Sequence, residues 1–250
     1  MRHWRSLLGC AALAALAVAS AARLGATPVT FSGTATYDGP YAADSLYAAV
    51  LDTAGPTLLA LARLPAGTTP MSRPFSLSFD NAATTHAVLV AALLDVDASG
   101  FDESDLDNVI TDDDILGWYS GTHEPTLLSA AVSHAGLDFA LPEGEIRGNV
   151  TFESGQTWAE VEVYSVPEMW SARYVSLGAP GPYALRGIYA GEHIVVGWGS
   201  FGDVCWGDPD CVNPTVITLG DGEIRTGIDL DFGSTAVQAE TWSRIKSLYR

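Results

Sequence analysis

The chain has 250 residues, which is enough for one large domain or two small ones. Hydrophobic residues make up 48% of it and charged residues 17%, so it can build a packed core and is not a disordered chain. Lysine and arginine total 12 against 30 acidic residues, a formal net charge of −18. Binding to nucleic acid requires a basic face that displaces counterions from phosphate, and docking on an anionic membrane has the same requirement. The charge excludes both as main partners.

Residues 1–22 predict an export signal. Arg2 and Arg5 precede an apolar run from Leu7 to Ala19, and small residues at 19–21 form a cleavage pattern. The run has 13 residues, fewer than the roughly 20 that a membrane-spanning helix needs. We therefore expect a secreted or cell-surface protein with no transmembrane segment in the mature chain.

The body of the chain alternates apolar and polar residues with a period of two, which is typical of β-strands. Phe31, Ala35 and Tyr37 alternate with small polar residues, and segments 75–79 and 159–163 follow the same pattern. Turn-forming clusters rich in glycine and proline separate these runs. The pattern predicts an all-β protein.

The strand pattern occurs twice in the same order. The matched segments are 31–37 with 146–152, 46–52 with 159–165, 73–77 with 180–185, 86–93 with 193–200, and 136–139 with 227–230. This duplication predicts two tandem antiparallel β-sandwiches, repeat one at 28–141 and repeat two at 145–232, joined by Leu141-Pro142-Glu143-Gly144.

Repeat one is the longer copy, and its extra residues include an acidic block. No lysine or arginine lies between Arg73 and Arg147, and nine acidic residues fall between Asp95 and Asp114. Nine carboxylates this close repel one another, which favours a bound cation. The alternative is a solvated acidic loop that holds no ion.

The start of this block matches a calcium loop of the EF-hand type. Oxygen-bearing side chains stand at positions 1, 3 and 5 of the loop and glycine at position 6. The expected ligands are Asp95, Asp97, Ser99, the Phe101 carbonyl, Glu103 and Asp105. Position 12 is Leu106 instead of glutamate, and no amphipathic helix flanks the loop. We therefore expect a calcium loop between sandwich strands. Asp112-Asp113-Asp114 could complete this site, form a second site, or face solvent.

Repeat two carries Cys205 and Cys211 after the strand that corresponds to the one before the acidic block. Cys10 is removed with the signal, so these two remain and are expected to form a disulfide in an exported protein. Residues 233–250 form a polar connector and a basic tail. Helical spacing of Trp242, Ile245 and Leu248 or Tyr249 predicts a short amphipathic helix there, either packed on repeat two or exposed as a recognition or sorting signal.

The order of the short motifs resembles a known family. Four motifs follow one another: a strand with glycine at its third position and a Thr-aromatic pair at its end, a P-x-Y/F-x-L strand, an H-x-V-x-V strand and a final G-x-D-hydrophobic strand. This order is similar to that of the transthyretin-like, carboxypeptidase-regulatory-like sandwich and of the collagen-adhesin B-type repeats. The resemblance covers about residues 29–232. It implies an extracytoplasmic, non-catalytic module of secreted or surface bacterial proteins. The Lys-Asn cross-link of the adhesin repeats is not expected, because the only lysine, Lys246, lies outside both repeats.

Enzyme motifs are missing from the sequence. It contains neither G-x-S-x-G nor H-E-x-x-H, and the histidines of the body are scattered. We therefore expect a non-enzymatic protein with a structural or adhesive role, and an exported hydrolase is the less favoured alternative.

Tryptophans beside turns leave a second alternative, an extracellular carbohydrate-binding module that stacks on sugar rings. These are Trp118, Trp170, Trp198 and Trp206. The expected partner is an extracellular polysaccharide or a surface protein.

Overall fold

A computed structural model describes residues 27–54, 57–98, 100, 114–122, 124–169, 171–200 and 202–233. The predicted export signal at 1–22 and the tail beyond Gly233 lie outside the described residues. So do Trp170 and four of the six expected calcium ligands, which are Ser99, Phe101, Glu103 and Asp105. The described part confirms the all-β class, with one 3-10 turn at Asn81–Ala83 as its helical element. Within it, no helix has the length and apolar character needed to span a bilayer.

Repeat one contributes eight strands. They are β1 (Pro28–Tyr37), β2 (Ala43–Asp52), β3 (Thr57–Gly67), β4 (Met71–Asp80), β5 (Ala87–Asp95), β6 (Ile115–Trp118), β7 (Leu128–Ser129) and β8 (Phe139–Ala140). One sheet has the order β4-β1-β8, and the other has the order β3-β2-β5-β6 with β7 also paired to β5. The apolar run at 87–94 is therefore a strand.

Repeat two contributes the remaining strands. They are β9 (Gly144–Thr151), β10 (Ala159–Val166), β11 (Ser171–Leu177), β12 (Gly181–Ile188), β13 (Gly191–Gly199), β14 (Asp203–Cys205), β15 (Ile217–Leu219), β16 (Ile224–Arg225) and β17 (Leu230–Asp231). One sheet has the order β12-β9-β16, with β17 also on β9, and the other has the order β11-β10-β13-β14, with β15 also on β13.

The two repeats share one strand topology, as the duplicated sequence pattern predicts. β1 pairs with β4 as β9 pairs with β12, and β5 pairs with β2, β6 and β7 as β13 pairs with β10, β14 and β15. The closing strands depart from the expected antiparallel arrangement, because β8 runs parallel to β1, and β16 and β17 run parallel to β9. Parallel neighbours need a crossover connection, and the chain supplies one by visiting the opposite sheet in between.

Each repeat encloses its own core between its two sheets. The alternation predicted from the sequence places Phe31, Ala35 and Tyr37 inside, all fully buried. One apolar cluster draws only on residues 29–141, and a second draws only on residues 146–232. No strand pairing among the described residues joins the two repeats. The proposed limits of the two units as domains stay a prediction.

A glycine in the first strand of each repeat allows the closing segment to cross it at very short range. A Cβ atom at Gly33 would lie 2.2 Å from the carbonyl oxygen of Leu137, and one at Gly148 would lie 1.9 Å from that of Ile228. The Leu137 amide donates to the Ser32 carbonyl at 3.1 Å, and the Ile228 amide makes the same bond to Arg147 at 3.1 Å. The repeated glycine therefore has a steric cause.

Substituting either glycine with alanine should destabilise the protein. The added methyl group meets backbone atoms that cannot rotate away, so we expect Gly33→Ala and Gly148→Ala each to lower the free energy of unfolding by about 1–3 kcal/mol or more. Chemical denaturation measures the change. Gly178→Ala is the control, because a Cβ atom there has nothing within 4 Å. Equal stability of all three variants would contradict the steric explanation.

Cys205 and Cys211 form the predicted disulfide, with their Cα atoms 5.1 Å apart. Both cysteines are buried in a small apolar cluster with Tyr164, Ile194 and Val196 on the outer face of the second sheet of repeat two. The duplicated strand pattern predicts that this bridge and the acidic block follow equivalent strands. In the structure the acidic block lies between β5 and β6, whereas the bridge runs from β14 to the turn that follows it. The cross-link therefore lies one strand further along the chain.

Removing the disulfide should destabilise repeat two. The bridge closes a short loop with a sequence separation of 6, and loop-closure entropy for such a loop corresponds to about 2 kcal/mol. We expect the Cys205→Ser plus Cys211→Ser double variant to show this loss in chemical denaturation. A reductant should lower the stability of the parent protein to a similar degree and leave the double variant unchanged. An equal effect of reductant on both proteins would contradict this.

Candidate metal site

The candidate site lies where β5 ends and β6 begins. These neighbouring strands are antiparallel, and their register pairs Leu94 with Ile115. Asp95 directly follows Leu94 and Asp114 directly precedes Ile115, so strand pairing brings two distant aspartates side by side. Asp97 lies two residues after the first of them, on the turn that leaves β5.

Three carboxylate groups converge at this point. One carboxylate oxygen from each of Asp95, Asp97 and Asp114 lies within 4.8 Å of the other two. Asp95 is 2% exposed and Asp114 is fully buried, whereas Asp97 is exposed. Two carboxylates therefore form the floor of the cluster and the third faces solvent.

The two buried carboxylates have unsatisfied oxygen atoms. The Val96 amide donates a hydrogen bond of 3.0 Å to Oδ1 of Asp114. Oδ2 of Asp114 and Oδ1 of Asp95 are buried and have no hydrogen-bond partner among the residues that the structure describes. Leaving a buried charged oxygen without a partner is costly, and a cation between these groups would remove that cost.

The electrostatics of Asp114 agree with this geometry. Burial raises its pKa to about 6, against the lowering effect of the hydrogen bond from Val96. The negative charges of Asp97 and Asp95 raise the pKa further, whereas Arg173 of repeat two lowers it. The surroundings of Asp114 thus disfavour a third negative charge beside Asp95 and Asp97 and favour a cation.

The donor atoms indicate which ions the cluster could hold. Calcium takes six to eight oxygen ligands, and three carboxylates can supply up to six of them when each binds through both oxygens. Among the described residues, the cluster contains no histidine nitrogen or cysteine sulfur, the donors that zinc and copper prefer. A hard cation such as calcium fits the residues that are present.

Of the expected ligands, the structure brings together Asp95 and Asp97, and it adds Asp114 from the far end of the acidic block. Of the residues 112–114, Asp114 is buried and lies beside Asp95 and Asp97. The register between β5 and β6 brings Asp114 to this place, and the residue pattern alone does not give that register.

One residue of repeat two also reaches this cluster. The buried guanidinium group of Arg173, on β11, donates a hydrogen bond to the backbone carbonyl of Asp114. This contact is not predicted from the sequence. No local signal could have revealed it, because the two residues belong to different repeats and 59 positions separate them.

The described histidines have structural partners. His86 Nδ1 lies 3.3 Å from both the Asp52 carboxylate and the Thr84 hydroxyl. In a catalytic triad the acid and the nucleophile contact opposite ring nitrogens, whereas here both contact the same one. His134 and His193 each lie 2.9 Å from a backbone carbonyl through Nε2. These arrangements stabilise turns and do not build a nucleophile.

The described tryptophans of the carbohydrate-binding alternative take part in packing. Trp206 packs against the core of repeat two, and Trp198 packs beside the disulfide and donates to Glu162 at 3.0 Å. Trp118 is half-buried at the end of β6. Trp158, which the sequence analysis did not single out, is the most exposed described tryptophan at 46%. Carbohydrate binding stays a prediction.

Comparisons with known proteins give distant likenesses. No family model and no curated protein sequence matches the chain. Among solved structures, the tip fimbrial protein Mfa3 of Porphyromonas gingivalis is 10% identical with a TM-score of 0.33, over 72% of this chain and 82% of its own.

Two further solved structures are cell-adhesion candidates. The one from Parabacteroides distasonis is 9% identical with a TM-score of 0.33, over 84% of this chain and 94% of its own. The one from Bacteroides ovatus is 10% identical with a TM-score of 0.29, over 85% of this chain and 94% of its own. These identities and TM-scores are low, so no function follows from the likeness.

Neutralising one buried aspartate should stabilise the protein when a chelator removes divalent metal. Asp114→Asn keeps the shape and the acceptor for Val96 but removes a buried charge that two neighbouring carboxylates repel. We expect the free energy of unfolding at pH 7 to rise by about 1–3 kcal/mol, the scale of a two-unit pKa shift. Asp44→Asn, at an exposed aspartate on β2, is the control and should change little. A loss of stability in Asp114→Asn under chelation would contradict the repulsion.

Proposed function

We propose that this chain is an exported, non-enzymatic structural or adhesive protein, and that its first repeat binds calcium at Asp95, Asp97 and Asp114. The observation that carries the calcium assignment is the convergence of three carboxylates, two of which are buried and each have one oxygen without a partner in the described part of the chain. In this proposal the ion stabilises the junction of β5 and β6. The acidic residues that follow Asp97 extend the same negative field and attract the ion.

Several features support the exported, structural part of the proposal. The first 22 residues have the pattern of an export signal, and an intramolecular disulfide suits an oxidising compartment. Two repeats of one topology, each with its own core, are an arrangement suited to presenting loops at a distance from an anchoring surface. The described histidines serve turns, which argues against the hydrolase alternative.

Calcium should raise the thermal stability of the protein. An ion that binds the folded state stabilises it by about 2.7 kcal/mol at a hundredfold excess over Kd, and calorimetric titration gives Kd directly. We expect this gain in the parent protein after chelation and dialysis. The Asp95→Asn plus Asp97→Asn variant should lose it, and Asp44→Asn should keep it. A parent protein that neither binds calcium nor changes its melting temperature would overturn the proposed site.

A further inference from the structure

The residue that closes the candidate calcium site also belongs to the contact between the two repeats. The side chain of Asp114 lies in the carboxylate cluster, while its backbone carbonyl accepts the hydrogen bond from Arg173 of repeat two. One residue therefore joins the cluster of repeat one to the body of repeat two. Any shift of Asp114 on ion binding acts on both.

The strand that begins after Asp114 contacts repeat two at both of its ends. Ile115 packs so closely on Gly187 of β12 that a Cβ atom at the glycine would lie 3.0 Å from its Cγ2. At the other end of β6, the Trp118 amide donates to the Tyr189 hydroxyl at 2.9 Å, and this hydroxyl lies 3.4 Å from the Trp118 carbonyl. β6 is thus one of the elements through which repeat one contacts repeat two.

The same strand is held on its other side by β5, which ends in the cluster. Without a cation, the carboxylates of Asp95, Asp97 and Asp114 repel one another and push the end of β5 away from the start of β6. A bound divalent cation reverses the sign of this force and holds both strand ends together. A bound ion would therefore act on the start of β6 relative to the end of β5.

A second contact between the repeats does not involve the cluster. The buried carboxylate of Glu145, the second residue of β9, accepts hydrogen bonds from Tyr41 of repeat one and from both Nε and Nη2 of Arg147 at 2.8 Å. The Arg186 guanidinium lies 4.7 Å from the centre of the Tyr41 ring. This contact joins the repeats without any residue of the carboxylate cluster.

From these contacts we propose that calcium at Asp95, Asp97 and Asp114 fixes the orientation of the two repeats by ordering β6 against Arg173 and Tyr189. The inference rests on the proposed calcium site and adds its regulatory consequence. The Glu145 contact acts as the permanent attachment, and the β6 contact becomes the second, ion-dependent one. Two separated attachments fix an orientation that one does not.

The test measures the distance between the repeats in the full chain, with and without calcium. Spin labels are placed at the exposed positions Val132 and Val216 through Val132→Cys and Val216→Cys, with the native disulfide retained. Pulsed electron-spin resonance gives the distribution of label distances. We expect a broad distribution in chelator and a narrower one in saturating calcium.

Two variants separate coupling from binding. Tyr189→Phe removes only the hydroxyl that contacts Trp118, and Arg173→Gln removes the guanidinium at Asp114. Both keep all three aspartates, so both should still bind calcium at saturation without narrowing the distribution. Because coupling between sites is reciprocal, the calcium Kd of Tyr189→Phe should rise by roughly fivefold or more. Arg225→Gln, at an exposed arginine of repeat two, is the control and should behave as the parent.

The outcomes distinguish the inference from the proposed function. The coupling is wrong if the parent binds calcium but its distribution of label distances does not narrow. It is also wrong if calcium narrows the distance distributions of both variants as much as that of the parent. In either case the calcium site stands. If calorimetry detects no calcium binding to the parent, the proposed site fails and the coupling fails with it. The inference is supported if calcium narrows the distance distribution of the parent and of Arg225→Gln but not that of Tyr189→Phe or Arg173→Gln.

Discussion

Each repeat depends on a crossing at which backbone meets backbone without an intervening side chain. The closing segment passes over Gly33 in one copy and over Gly148 in the other, at a separation that no Cβ atom could occupy. Hydrogen bonds from Leu137 and Ile228 fix the crossing, and the closing strands β8 and β17 then lie parallel to β1 and β9. The last strand thereby covers the edge of the small sheet and closes the core beneath it. The rest of each sandwich is arranged around this crossing.

On that scaffold, strand register decides which acidic residues meet. The pairing of Leu94 with Ile115 places Asp95 and Asp114 together at the end of the large sheet, where neighbouring strands exclude water from both. Repeat one also contacts repeat two at this position, since Arg173 donates a hydrogen bond to Asp114 there. The charge distribution and the contact between the repeats are thus consequences of the same pair of strands. This is why the candidate site and the orientation of the repeats are physically linked.

Residue alternation predicted the strands because an apolar side chain at every second position marks one buried face, as Phe31, Ala35 and Tyr37 illustrate. The duplicated pattern predicted the shared topology for the same reason. Parallel pairing of the closing strands was not predictable, because alternation does not encode strand direction. The spacing of acidic residues predicted that Asp95 and Asp97 belong to one site. It could not predict that Asp114 joins them, because that depends on strand register. It could not predict the contact with Arg173 either, because that residue belongs to the other repeat. Local chemistry was therefore readable from the sequence, whereas contacts that depend on tertiary register were not.

The connections that follow β5 and β13 show how the two copies came to differ. Three residues, 200–202, separate β13 from β14, whereas nineteen, 96–114, separate β5 from β6. The longer connection contains the acidic residues, and the cysteine pair follows the shorter one. Because Asp114 now contacts Arg173, the copies are no longer interchangeable: exchanging their order, or appending a third, would lose the contact that their divergence created.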